Sequence, residues 1–133
     1  MRGLLWKKWK GSLRMIKVVQ TSTYLKGYKK IRKKYPAFAD DMKTMLDSLE
    51  EKPKQGIEIF PNVYKKRISI TGKSQGKSGG ARLIFYYFTT GENVVLMYVY
   101  DKAEISDIPD PEIKGFVKEL LEYFESEDDE KQE

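Results

Sequence analysis

Apolar residues recur at two different periods along this chain, and each change of period marks an element. Residues 16–20 are a short β-branched run and predict a strand. Thr21, Ser22 and Thr23 follow with hydroxyls suited to capping a helix. Tyr24, Tyr28, Ile31 and Tyr35 then recur at helical spacing until Pro36 interrupts them. Phe38, Met42, Met45, Leu46 and Leu49 line one face of a second helix, which Pro53 ends. After a connection with a short extended piece at 57–60, alternating or β-rich runs predict strands at 64–71, 81–89 and 93–100. Thr90-Gly91-Glu92 is a compact hairpin signal between the last two. Asp110-Pro111-Glu112 opens a final helix, with Ile113, Phe116, Val117, Leu120, Leu121 and Phe124 as its apolar stripe. The order β-α-α-β-β-β-α implies an α+β layer with a mostly antiparallel sheet.

Length and charge divide the chain further. A sequence of 133 residues suits one domain. Residues 1–14 carry Arg2, Lys7, Lys8, Lys10 and Arg14 with no acid, and are expected to be a basic, disordered extension or an amphipathic segment touching membrane or RNA. Met15 reads as the opening of the domain, which occupies 15–124. Residues 125–133 hold six acids against Lys131 and are expected to be a disordered tail. The two ends cancel, so the body keeps a net charge of +5 and can attract phosphates. No apolar run approaches the roughly 20 residues that span a bilayer, and a cytoplasmic location is the expectation.

The missing residue types narrow the chemistry. With no cysteine, disulfides and thiolate metal sites are excluded. With no histidine, the commonest general base and every Ser-His or Cys-His nucleophile go too. Catalysis here must run on Lys, Arg, Tyr, Asp, Glu or backbone groups. Asp101 and Glu104 flank Lys102, but two lone acids do not make a metal site.

Residues 65–87 concentrate the remaining options. In a strand, Lys65, Arg67 and Ser69 share one face while Ile68 and Ile70 share the other. The loop Gly72-Lys73-Ser74-Gln75-Gly76-Lys77-Ser78 is not a P-loop: three residues separate its glycines where four are needed, and a strand follows instead of a helix. It can still form an anion-binding concavity, or simply be a solvated hairpin loop. Arg82 opens the next strand, with Ile84, Tyr86 and Phe88 on its face, and arginine suits bidentate phosphate contact. The tyrosines Tyr64, Tyr86, Tyr87, Tyr98 and Tyr100 suit core positions, with one or two able to stack on an unpaired base. Lysines and Arg32 at 29–34 make a solvated helix face, a steering patch for RNA, or a dock for an acidic partner.

Three segments together carry a family resemblance. Lys65-Lys66-Arg67-Ile68, the run Gly76-Lys77-Ser78-Gly79-Gly80-Ala81-Arg82, and Tyr100-Asp101-Lys102-Ala103-Glu104-Ile105-Ser106-Asp107 resemble toxins of the RelE/ParE superfamily, nearest its HigB-like branch. The resemblance implies a RelE-like fold and a type II toxin that cleaves mRNA on the ribosome without metal or cofactor. It also implies a cognate antitoxin, often a helix-turn-helix protein. By position it places basic catalytic residues at Lys65 and Arg67, the phosphate-stabilising arginine at Arg82, and a functional position at Lys102. Lys77 joins these as a candidate base, while Lys66, Lys73, Gly76, Gly79, Gly80 and Tyr86 become candidates for RNA contact. Ala103 and Ile108-Pro109 stand where RelE itself has an arginine and a catalytic tyrosine, which leaves the general acid unassigned. The implied chemistry is attack of a ribose 2′-OH on the adjacent phosphate. Lys65 or Lys77 would act as base, although free lysine is ~3 pK units too basic for that at neutral pH. Arg67 and Arg82 would stabilise charge, and Lys102 would position or donate. The wider superfamily also includes gyrase-poisoning toxins, and a non-catalytic RNA-binding module is a further alternative.

Overall fold

A computed structural model describes residues 4–8, 17–73, 79–88 and 93–132, with 4–8 and 125–132 described by backbone alone. The elements are β1 (Leu4–Lys8), β2 (Lys17–Thr21), α1 (Ser22–Lys34), α2 (Phe38–Glu51), β3 (Ile57–Phe60), β4 (Val63–Ile68), β5 (Ala81–Phe88), β6 (Asn93–Asp101) and α3 (Asp110–Gln132). The strands form one sheet in the order β1-β2-β6-β5-β4-β3, antiparallel throughout except for the parallel pair β2–β6. This is the α+β class expected, with two strands added to the expected order. The signal at 90–92 lies outside the described residues.

Three boundaries differ from the sequence reading, each for a local reason. Leu4–Lys8, inside the stretch expected to be disordered, pairs antiparallel with β2 and covers backbone groups on its outer edge. The last helix runs on to Gln132 through the acidic stretch, since no proline or glycine follows Gly115 to stop it. Strand β4 ends at Ile68 instead of Thr71 because Thr71 leaves the sheet for α2. Its N–H and Oγ1 donate to the Asp41 carboxylate at 2.8 and 2.6 Å.

Both faces of the sheet are covered. Helices α1 and α2 bury Tyr24, Ile31, Phe38, Met42, Leu46 and Leu49 against Ile68, Leu83, Phe85, Leu96 and Val99. On the opposite face, Ile113, Phe116 and Leu120 of α3 pack on Val19, Val63, Ile84, Val95 and Met97. Each such Leu, Ile or Phe contributes about 1.5–3 kcal/mol relative to exposure. Thr21 ties strand to helix: its Oγ1 accepts from the Tyr24 N–H at 3.1 Å and donates to the Leu96 carbonyl at 2.8 Å. Gly27 lets α1 lie directly on β6, since a Cβ there would collide with the Val99 carbonyl oxygen. No helix among the described residues is long and apolar enough to cross a membrane.

Candidate functional site

Strand alternation decides which cations meet. On β4, Val63 belongs to the α3-side core while Tyr64 and Ile68 belong to the α1–α2 side. Lys65 and Arg67 therefore turn to the α3 face, and Lys66 to the other. Arg82 shares the α3 face with Ile84 and Tyr86 of β5. The register sets Arg67 opposite Arg82 and Arg82 opposite Tyr100, so three adjacent strands contribute to one rung. Lys65, opposite Ile84, lies one same-face step further along β4.

A bulge brings Tyr100 into that rung. The β5–β6 register shifts between Ile84 and Phe85, and both Met97 and Tyr98 turn to the α3 side. The alternation of β6 is thereby reset. Tyr100 faces the arginines, and Asp101 faces α1.

The rung ends at the connection between β6 and α3, where Asp107 reaches back over the sheet. Its Oδ1 accepts from Lys65 Nζ at 2.7 Å, from the Ile108 N–H at 2.9 Å and from the Tyr100 hydroxyl at 3.4 Å. The hydrogen bond from Lys65 outweighs partial burial and holds the Asp107 carboxyl below the ordinary carboxylate range. Burial alone would lower the Lys65 pKa, but the hydrogen bond to Asp107, with Tyr100 beside it, raises it above the ordinary lysine value. Tyr100 is also raised, first by burial and then by Asp107, against an opposing pull from Lys65. At neutral pH the group is thus an ammonium, a carboxylate and a neutral phenol. Lys65 is the reverse of the lowered-pKa base that the sequence chemistry required.

Arg82 is half-buried, and its Nη1 donates to the carbonyls of Gly79 at 3.0 Å and Ala81 at 3.2 Å, which aims the guanidinium along the stem of the glycine loop. Arg67 directly opposite is exposed. An anion placed over this rung could accept hydrogen bonds from arginines of two adjacent strands, which is what a phosphate-binding rung requires.

The other expected site residues lie elsewhere. Lys73 donates to both oxygens of Asp101, at 2.7 and 2.6 Å, with its side chain 17% and Asp101's 4% exposed. It anchors the loop stem and does not face the rung. Together with the Lys102 N–H donating to the Gly80 carbonyl at 3.0 Å, it fixes both ends of the loop to the end of β6. Gly72 and Gly80, at φ 92° and 84°, make the turns that this needs. Lys66 lines a groove on the α2 side with Asp41, Ser48 and Gln55. Tyr86 is 7% exposed and packs on Phe88 with ring centroids 4.4 Å apart, so no base can stack on it there. Lys102 sits exposed in the turn after β6. Gly76 and Lys77 lie outside the described residues.

Asp107 is the site member that residue-by-residue reading missed, and Tyr100 was read only as a core or base-stacking tyrosine, although both lie within the third segment of the resemblance. A family model described as the RelE toxin of the RelE/RelB toxin–antitoxin system matches residues 43–132, which take in most of α2, all of β3 to β6, and α3.

Proposed function

Since this chain belongs to the RelE toxin family, we propose that it arrests translation as a ribosome-dependent endoribonuclease, with the Arg67–Arg82–Tyr100 rung and Lys65 as its cleavage site. One observation supports this above the others: two arginines stand in register on adjacent strands, and a lysine and a tyrosine share their sheet face. In the reaction a ribose 2′-OH attacks the adjacent phosphate, leaving a 2′,3′-cyclic phosphate and a 5′-OH end. Arg67 and Arg82 hold the non-bridging oxygens, where negative charge develops. Lys65 and Lys102 supply further positive field. The glycine loop, with Gly79 and Gly80 at its stem and Gly76 and Lys77 within it, approaches the mRNA backbone, and the ribosome presents that mRNA. A cognate antitoxin, a helix-turn-helix protein in the nearest branch, neutralises the toxin.

The test is Arg82→Ala. We expect mRNA cleavage on ribosomes to fall by about 10²–10³-fold, the scale for removing one charge-stabilising group, while the variant folds and still binds its antitoxin. Primer extension on mRNA from induced cells reads the cuts directly. Wild-type toxicity in this variant would overturn the assignment. Growth arrest without mRNA cuts would favour gyrase poisoning, and salt-sensitive RNA binding with neither cuts nor arrest would favour a plain binding module.

A further inference from the structure

We propose that Asp107 is the proton acceptor of this site and Lys65 its proton donor, an assignment that rests on the nuclease reading above. The chain has no histidine. Of the side chains joined by hydrogen bonds at the rung, Lys65 is a cation and Tyr100 carries its proton, which leaves the Asp107 carboxylate as the group with a lone pair available to a hydroxyl.

Its placement suits that role. Three donors from three segments, Lys65 on β4, Tyr100 on β6 and the Ile108 backbone, all fall on Oδ1 and fix the carboxylate. Oδ2 accepts no hydrogen bond from the described residues. The side chain is 64% exposed, whereas Asp101, the other aspartate paired with a lysine at this end of the sheet, is 4% exposed. A fixed carboxylate with one oxygen open to solvent, beside a phosphate-binding arginine pair, can receive a ribose hydroxyl.

The step balances without water or metal. Asp107 Oδ2 takes the 2′-OH proton as the 2′ oxygen bonds to phosphorus. The bond from phosphorus to the 5′ oxygen breaks, its electron pair stays on that oxygen, and Lys65 Nζ delivers a proton to it. The enzyme is then left with a protonated Asp107 and a neutral Lys65. Lys65 Nζ lies 2.7 Å from Oδ1 of the same carboxyl group, so once the carboxyl turns to bring its proton to that contact, one transfer to the amine restores both.

The alternatives are that Asp107 merely braces the start of α3, or that it occupies the phosphate site as an internal inhibitor. Asp107→Asn separates all three, because it keeps the size and the oxygen that accepts from Ile108 while removing the basic lone pair and the charge. The measurement is single-turnover cleavage of mRNA on purified, programmed ribosomes, with affinity for the same complex measured in parallel. We expect the cleavage rate constant to fall about 100-fold or more, affinity to stay equal or tighten, and Asp107→Glu to recover part of the rate. Cleavage within about threefold of wild type, or faster, would overturn the assignment. So would a rate loss matched by an equal affinity loss. Intact mRNA with the wild-type chain would instead sink the nuclease reading and this assignment with it.

Discussion

Two lysine–aspartate pairs lie at the same end of the sheet on its opposite faces, and their contact distances barely differ. Lys73 meets Asp101 at 2.6 Å on the α1 side, and Lys65 meets Asp107 at 2.7 Å on the α3 side. Their surroundings differ completely. Asp101 is enclosed and uses both oxygens on Lys73, with Oδ1 also accepting from the Ala103 N–H at 3.0 Å. Asp107 stands open to solvent, commits one oxygen, and is bonded to Tyr100, which stands in register with Arg82. An ion pair's length therefore says little about its role. Burial makes one pair a fastener for the loop stem and leaves the other open, as the proposed reactive couple must be.

The strongest way to break this comparison is Lys73→Met, which leaves the Asp101 carboxylate enclosed without its cation. We expect a loss of about 3 kcal/mol or more, the scale for removing one partner of a buried pair, read as a lower midpoint in denaturant or heat. The sign of the pH dependence follows from the shifts. Burial pushes the Asp101 carboxyl up, but the hydrogen bond from Lys73 outweighs it and leaves the pKa below the ordinary range, so its stabilisation is present above that range and lost as pH falls through it. The Lys73 pKa is raised, chiefly by the same hydrogen bond, so its share persists through neutral pH and is lost only as alkaline pH passes the raised value. In Lys73→Met an unpaired Asp101 gains stability on protonation. The gap between variant and wild type should therefore narrow in acid, with the variant itself growing more stable there, and a variant whose stability does not rise as pH falls would show that Asp101 is solvated after all.

Lys65→Met probes the open pair, and its effects should divide the other way. We expect cleavage to fall about 100-fold, as for loss of a positioned proton donor. Stability should shift by less than about 1 kcal/mol, because Asp107 remains solvated when its partner goes. A stability loss as large as that of Lys73→Met would make both pairs fasteners and erase the distinction.

How much of this was legible in the sequence depends on the range of each interaction. The helical hairpin followed from local signals, the spacing of Tyr24, Tyr28 and Ile31 and the break at Pro36, and α3 from its own stripe. Period-two alternation also placed Lys65, Arg67 and Arg82 on one face once their strands paired. Tyr100 was hidden because its facing depends on the bulge at Met97 and Tyr98, in a run too uniformly apolar to reveal its own phase. Lys73 was a candidate for RNA contact in the loop because its partner Asp101 lies 28 positions away, and Asp107 looked incidental because Lys65 lies 42 positions away. Local pattern fixes elements. Partners that remote are set only by the fold.

The smallest expected effect bears on how the open pair is held. The Tyr100 hydroxyl donates to Asp107 Oδ1 at 3.4 Å, the longest of the three bonds to that oxygen, and the residue is almost wholly buried. If Tyr100 only positions the carboxylate, Tyr100→Phe removes one hydrogen bond worth about 1 kcal/mol and slows cleavage about fivefold. Its pH–rate profile should keep the alkaline limb of Lys65, moved only slightly to lower pH by the loss of Tyr100's share in raising that pKa. A fall of 100-fold accompanied by a strongly displaced alkaline limb would make Tyr100 the proton donor in place of Lys65. The reactive couple would then be carboxylate and phenol, and Lys65 would become, like Lys73 on the other face, a cation that holds an aspartate still.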